Sequence, residues 1–170
     1  RAVRFEMGLE PSDERGSREV SIEQVRAITD YVRLLAPPPP NAQNAAGFDL
    51  FCRIGCDACH APVDLLDGDA RLIPGARDSP VYAFSDLLLH DMGASRADGL
   101  TEGEAGPAEY RTAPLWGLWA TGPPYLHDGA AASLDEAIRA HAGEALDSAK
   151  RYRSLSEFDR SALLEFLRSL

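Results

Sequence analysis

At 170 residues the chain fits one domain with an appendage and can bury a sizeable core. A formal net charge of −10 and a pI near 4.8 argue against nucleic acid or an anionic membrane surface as partner, and leave a basic partner or simple solubility. No apolar run is long enough to span a bilayer, and no charged-then-apolar leader opens the chain.

The first predicted element is a helix in "SIEQVRAITDYVRLLA" (residues 21–36). Its apolar residues Ile22, Val25, Ile28, Val32 and Leu35 form one stripe, opened by Ser21 with Gln24 three residues later as a capping box. "PPPP" (37–40) stops it as a stiff, extended spacer, and a domain boundary is expected there. A second helix over residues 42–55 runs into "CRIGCDACHAP" (52–62). Residues 61–125 are rich in Gly, Pro and Asp and read as a long wrapping loop with short helical pieces such as "YAFSDLLLH" (82–90). Loops of that length usually hold something. "SLDEAIRAH" (133–141) is a helix with Ser133 and Glu136 as its capping box. "SEFDRSALLEFLRSL" (156–170) closes the chain, with Phe158, Ala162, Phe166 and Leu170 on one stripe.

The pair Cys56 and Cys59 with His60 directly behind admits three chemistries. Structural zinc wants four Cys or His ligands, usually as two close pairs, but the only other cysteine is Cys52. A redox dithiol wants a βαβ context, and the flanks read as helix before and loop after. C-x-x-C-H is also the attachment signature of c-type haem: two thiols on one helical turn reach the two vinyl groups, and the adjoining imidazole falls under the iron. The third chemistry fits, with covalently attached haem c as cofactor. Because that attachment happens outside the bacterial cytoplasm, a periplasmic or secreted protein is expected, and a chain opening on Arg1 reads as processed or truncated. Cys52 is then a small apolar side chain on the leading helix.

The helices opened by Ser21 and Ser156 lie over each other without a gap. Ala27 meets Ala162, Ile28 meets Leu163, Tyr31 meets Phe166, Val32 meets Leu167, Arg33 meets Arg168 and Leu35 meets Leu170. Two amphipathic helices can share a period by chance, but the match includes positions off the apolar stripe. It implies that residues 1–40 are the tail of a preceding haem domain plus a Pro-rich linker, and residues 41–170 a haem domain of their own. The same offset, with one residue of slippage, sets Met7 opposite His141 and offers it as a ligand of the missing first haem, with an ordinary apolar contact on a terminal segment as the alternative.

With His60 on one face of the iron, the candidates for the other are Met92, His90, His127 and His141. Methionine is a common partner in small cytochromes c, and Met92 lies in the loop "LHDMGAS". His141 sits at the end of a capped helix, which presents it rigidly. The residues alone leave Met92 and His141 open.

"YAFSDLLLHDMG", "YRTAPLWGLW", "YLHDGAAASLDEAIRAHAGEA" and "LLEFLRSL", in that order behind C-x-x-C-H, resemble the second haem domain of bacterial di-haem oxidoreductases related to cytochrome c peroxidases. The likeness covers roughly residues 44–170. It implies an all-α, cytochrome c-like haem domain with long wrapping loops and few or no strands. It places the distal ligand at the end of the helix behind H-D-G, which is His141, and so implies a six-coordinate, bis-histidine iron. It pairs Arg111 with a haem propionate, as a guanidinium suits a carboxylate, with a solvated surface arginine as the plainer alternative. Trp116 and Trp119 are expected as core against the macrocycle, with an electron relay between haems as the functional alternative. His90 and His127 are expected in tight turns, with propionate contact as the functional alternative.

Members of that family carry two C-x-x-C-H motifs, and this chain carries one. The expected function is therefore electron transfer by a haem domain, with a second haem domain or chain and a redox partner protein as partners. The alternative is a haem peroxidase, if His141 can leave the iron.

Overall fold

The helix that leads into the cysteines begins where Asn44 accepts a hydrogen bond from the Gly47 amide, 3.1 Å away. The structure, a computed structural model, describes residues 20–33, 35, 44–62 and 82–170. The proline spacer at 37–40, Met7 and much of the expected wrapping loop lie outside the described residues.

Helix α1, Ile22–Arg33, carries the expected capping box in both directions. The Ser21 amide donates to Gln24 Oε1 at 2.7 Å, and the Gln24 amide to Ser21 Oγ at 3.2 Å. Helix α2 is Ala45–Arg53, shorter than the expected 42–55, and buries Gly47, Leu50 and Phe51. Helix α3 is Leu134–Arg139, α4 is Leu146–Ser154 and α5 is Glu157–Leu167. Strands β1 (Leu89–Asp91) and β2 (Glu109–Arg111) pair antiparallel, with His90 opposite Tyr110. The described residues are mostly helical, with one small two-stranded sheet among them.

The core forms where α2 crosses α5. A Cβ on Gly47 would sit 2.4 Å from both the Ala162 carbonyl oxygen and Phe166 Cβ, so only glycine lets the two backbones approach this closely. Phe166 stands at the centre, its ring 5.5 Å from Phe51, 5.6 Å from Phe48 and 5.9 Å from Phe84. Tilted and edge-on aromatic pairs of this kind add to simple area burial. Phe158 does not join them and is 82 % exposed. The buried face of α5 runs through Leu163, Phe166, Leu167 and Leu170, and Phe158, five residues before Leu163, lies about 140° round the helix from it.

The segment 82–90, expected to hold a helical piece, is extended and ends in β1. Its polar side chains take the amides that a helix would have used. The Leu87 amide donates to Ser85 Oγ at 3.0 Å, and the Leu88 amide to Asp86 Oδ1 at 3.0 Å. Phe84 and Leu87 adopt positive φ of 53° and 59°, which breaks any helical run. Ser85, fully buried, donates to the Thr112 carbonyl at 2.8 Å and ties the segment to the strand end beyond β2.

Helix α4, where no element is expected, buries Ala149 and Tyr152. The Tyr152 hydroxyl donates to Asp135 on α3 at 2.7 Å, while the Arg139 and Arg160 guanidinium carbons lie 5.7 and 5.6 Å from its ring centre. Together with Arg153, which donates to the Arg139 carbonyl, this side chain fixes α3 against α4.

Candidate functional site

Helix α2 stops at Gly55, whose φ of 87° lies in the left-handed region that glycine tolerates. A short 3₁₀ turn over Cys56–Ala58 follows, and the His60 amide closes onto the Cys56 carbonyl at 2.9 Å. Two side chains from α4 satisfy the carbonyls at this end: Ser148 donates to Gly55 at 3.2 Å and Arg151 to Ile54 at 3.3 Å. The motif is therefore held from outside its own segment. No disulfide joins Cys52, Cys56 or Cys59. Burial, reinforced by Asp57, pushes the Cys56 thiol up to about 12, and burial followed by the charges of Asp86 and Glu144 raises Cys59. Cys52 packs at the edge of the aromatic core, as an apolar side chain would.

His60 and His141 come together. His60 Nδ1 is 3.2 Å from the Phe84 carbonyl, and His141 Nδ1 is 2.7 Å from the Ala137 carbonyl one helical turn back. A carbonyl can only accept, so each Nδ1 carries the proton and each Nε2 is the basic nitrogen. Burial holds both rings neutral: it lowers His60 to about 4, against the Phe84 carbonyl that opposes the shift, and it lowers His141. Neutral imidazole is the form that binds a metal.

The two ring centres are 6.5 Å apart, with the planes inclined at 52°. Imidazoles on opposite sides of one ion have centres about 6 Å apart, from a metal–nitrogen bond of about 2 Å and a ring radius of about 1.1 Å on each side. The separation suits one metal held between them. Bound carbonyls on the far nitrogens are the usual supports of metal-ligating histidines. His141 lies two residues past the last residue of α3, whose first turn is capped by Ser133 accepting from the Glu136 amide at 3.2 Å. The Glu136 carboxylate reaches back to the Ala132 amide at 2.8 Å, one residue beyond the Ser133 amide of the expected reciprocal bond.

The remaining candidates are dispersed. Met92 follows β1, its amide bonded to the Ala108 carbonyl at 2.8 Å. Arg111 is exposed at the end of β2 and makes no ion pair among the described residues. Trp116 is half-buried and Trp119 half-exposed. His127 stacks on Tyr110 with ring centres 3.9 Å apart. His90 sits on β1 rather than in a turn, its Nε2 2.8 Å from Asp86 and its Nδ1 2.9 Å from Glu144. Cys59, Asp86 and His90 offer donor atoms all within 4.8 Å of one another, but both nitrogens of His90 already face carboxylates.

Sequence reasoning missed the carbonyls of Phe84 and Ala137, because any residue supplies a carbonyl. It also missed Arg96, whose charge opposes protonation of His141 and whose guanidinium pairs with Asp128.

The sequence profile described as "Di-haem oxidoreductase, putative peroxidase" matches residues 6–170. The cytochrome c551 peroxidase of Nitrosomonas europaea is 26 % identical over 169 residues, covering 91 % of this chain and 46 % of that protein. The chain thus spans about half the length of the curated relative it matches. No solved structure gives a significant match.

Proposed function

Because this chain belongs to the di-haem oxidoreductase family, we propose that it is a c-type cytochrome domain transferring electrons through one covalently attached, six-coordinate haem within a two-haem oxidoreductase. Family membership supports haem binding and a redox role. The observation that carries the finer reading is the pair of neutral imidazoles, His60 and His141, 6.5 Å apart with both Nδ1 atoms tied to carbonyls.

When bound, haem supplies one-electron exchange at its iron. Cys56 and Cys59 would hold it by thioether links, His60 and His141 by their Nε2 atoms. The Phe84 and Ala137 carbonyls keep each ring in the tautomer whose Nε2 lone pair is free, and so fix which nitrogen binds. Burial keeps both rings unprotonated at neutral pH. Exposed Arg111 is available to a propionate, and Trp116 to the macrocycle edge. Residues 1–40 we assign to the end of a preceding haem domain and its linker, with a second haem domain and a redox partner protein as partners and the periplasm as the place of assembly.

The relative's name, a cytochrome c peroxidase, favours a second reading in which His141 leaves and the open position takes peroxide. An absorption spectrum with added cyanide and peroxide separates the two. Low-spin bands that neither reagent changes support electron transfer; a high-spin band with rapid peroxide reaction supports the enzyme and overturns the first reading.

A further inference from the structure

Three charged side chains stand beside the two histidines with no part in holding a metal. His90 lies between Asp86 Oδ2, 2.8 Å from its Nε2, and Glu144 Oε2, 2.9 Å from its Nδ1. A ring with a carboxylate on each nitrogen donates from both and is an imidazolium. The other oxygen of Glu144 accepts the Asp91 amide at 3.0 Å. Behind these bonds the two chain segments touch through backbone. A Cβ on Gly143 would lie 2.1 Å from the Asp91 carbonyl oxygen and 2.6 Å from the Gly93 nitrogen, and one on Gly93 would lie 2.9 Å from the Gly143 nitrogen.

Glu144 is three residues after His141, and Asp86 is two after Phe84, whose carbonyl holds His60. The Asp86 amide also donates to the Cys59 carbonyl at 2.8 Å. One segment, residues 84–93, therefore grips the His60 side of the site with its first half and the His141 side with its second.

We propose that the Asp86–His90–Glu144 clamp positions His141, holding the segment behind it against β1 so that the sixth position on the iron stays closed. His90 is a positioning residue, acting through Glu144 and the Gly93–Gly143 contact rather than by touching the iron. The inference rests on the reading above that His141 is the distal ligand, and it names what decides between a closed, electron-transferring iron and one open to a small ligand. Nothing else among the described side chains bridges the two segments with charge-assisted bonds, the stronger class of hydrogen bond.

The test uses the haem-loaded protein and cyanide as the probe. His90→Phe keeps a ring and removes both donors; Glu144→Gln keeps the shape and weakens the bridge; His141→Ala opens the position outright. Cyanide association should rise about tenfold in His90→Phe and Glu144→Gln, the change that corresponds to about 1.4 kcal/mol, with helix content and haem attachment unchanged. Rates equal to the parent in both, alongside rapid binding to His141→Ala, sink the clamp and leave the distal ligand standing. A low-spin, cyanide-resistant His141→Ala sinks the distal assignment and the clamp with it. If His90→Phe fails to fold, Glu144→Gln alone decides, since its bridge is at the surface and its loss does not touch the core.

Discussion

Two of the chain's four histidines tie Nδ1 to a backbone carbonyl, and these are the two whose rings lie 6.5 Å apart. His90 and His127 have other work, between carboxylates and against Tyr110. Ligand assignment can be tested one side chain at a time. His141→Ala should turn the haem high-spin, while Met92→Ala should leave the low-spin spectrum as it was; the reverse pair of spectra moves the ligand to Met92. Covalent attachment has its own test, because thioether bonds survive acid–acetone extraction. The colour should stay with the polypeptide, and haem that extracts freely removes Cys56 and Cys59 from the site.

The crossing of α2 and α5 depends on one missing methyl group. Gly47→Ala places a carbon 2.4 Å from the Ala162 carbonyl oxygen, and the helices must separate. Denaturant unfolding should show a loss of about 1–3 kcal/mol, the usual cost of overpacking, whereas Phe158→Ser, at an exposed position, should stay within about 0.5 kcal/mol of the parent. Equal values would mean that the crossing is not close. The bridge between β1 and the segment after α3 should show in the pH profile. Hydrogen bonds to Glu144 and Asp86 raise the His90 pKa above its usual 6.5, so its contribution is complete below that value and is lost as pH rises through the raised one. Glu144 is lowered by its bond to His90, and Asp86, despite partial burial, by the Leu88 amide and His90. Their contributions are present above the ordinary carboxylate values and lost as pH falls through the depressed ones. Protection of the Asp91 amide from hydrogen exchange should therefore peak between the two limits and flatten in His90→Phe.

Across the whole molecule the two matching helices differ in burial. On α5, Leu163, Phe166, Leu167 and Leu170 are buried against α2; their counterparts on α1 and just beyond it, Ile28, Tyr31, Val32 and Leu35, are 43 %, 66 %, 58 % and 55 % exposed. The assignment of α1 to a preceding haem domain, which would cover these side chains, is a proposal with its own test. Tyr31→Asp should leave thermal unfolding of this 170-residue chain unchanged and, in a protein carrying both haem domains, destabilise the preceding one while sparing the haem at Cys56–His60. Equal effects in both proteins would detach α1 from any preceding domain. Met7, the proposed ligand of the first haem, lies outside the described residues.

Local chemistry was legible from residues alone wherever the relevant partners are close in the chain. The capping box at Ser21 and the side-chain cap at Ser133 each act within a few residues, so sequence suffices for them. It failed where a distant partner chose between local options. "YAFSDLLLH" has a helical apolar pattern, yet Ser85 is drawn to the Thr112 carbonyl and β1 to β2, and the segment extends. Helix α4, with only Leu146, Ala149 and Tyr152 along its apolar edge, is set by Asp135, Arg139 and Arg160 around the Tyr152 ring. His141 could be named from sequence as a candidate, but bringing it to 6.5 Å from His60 took α3, α4 and the 84–93 segment together. A motif states which atoms can bind; only long-range packing, in which backbone carbonyls and glycine contacts carry no residue-type signal, decides where they meet.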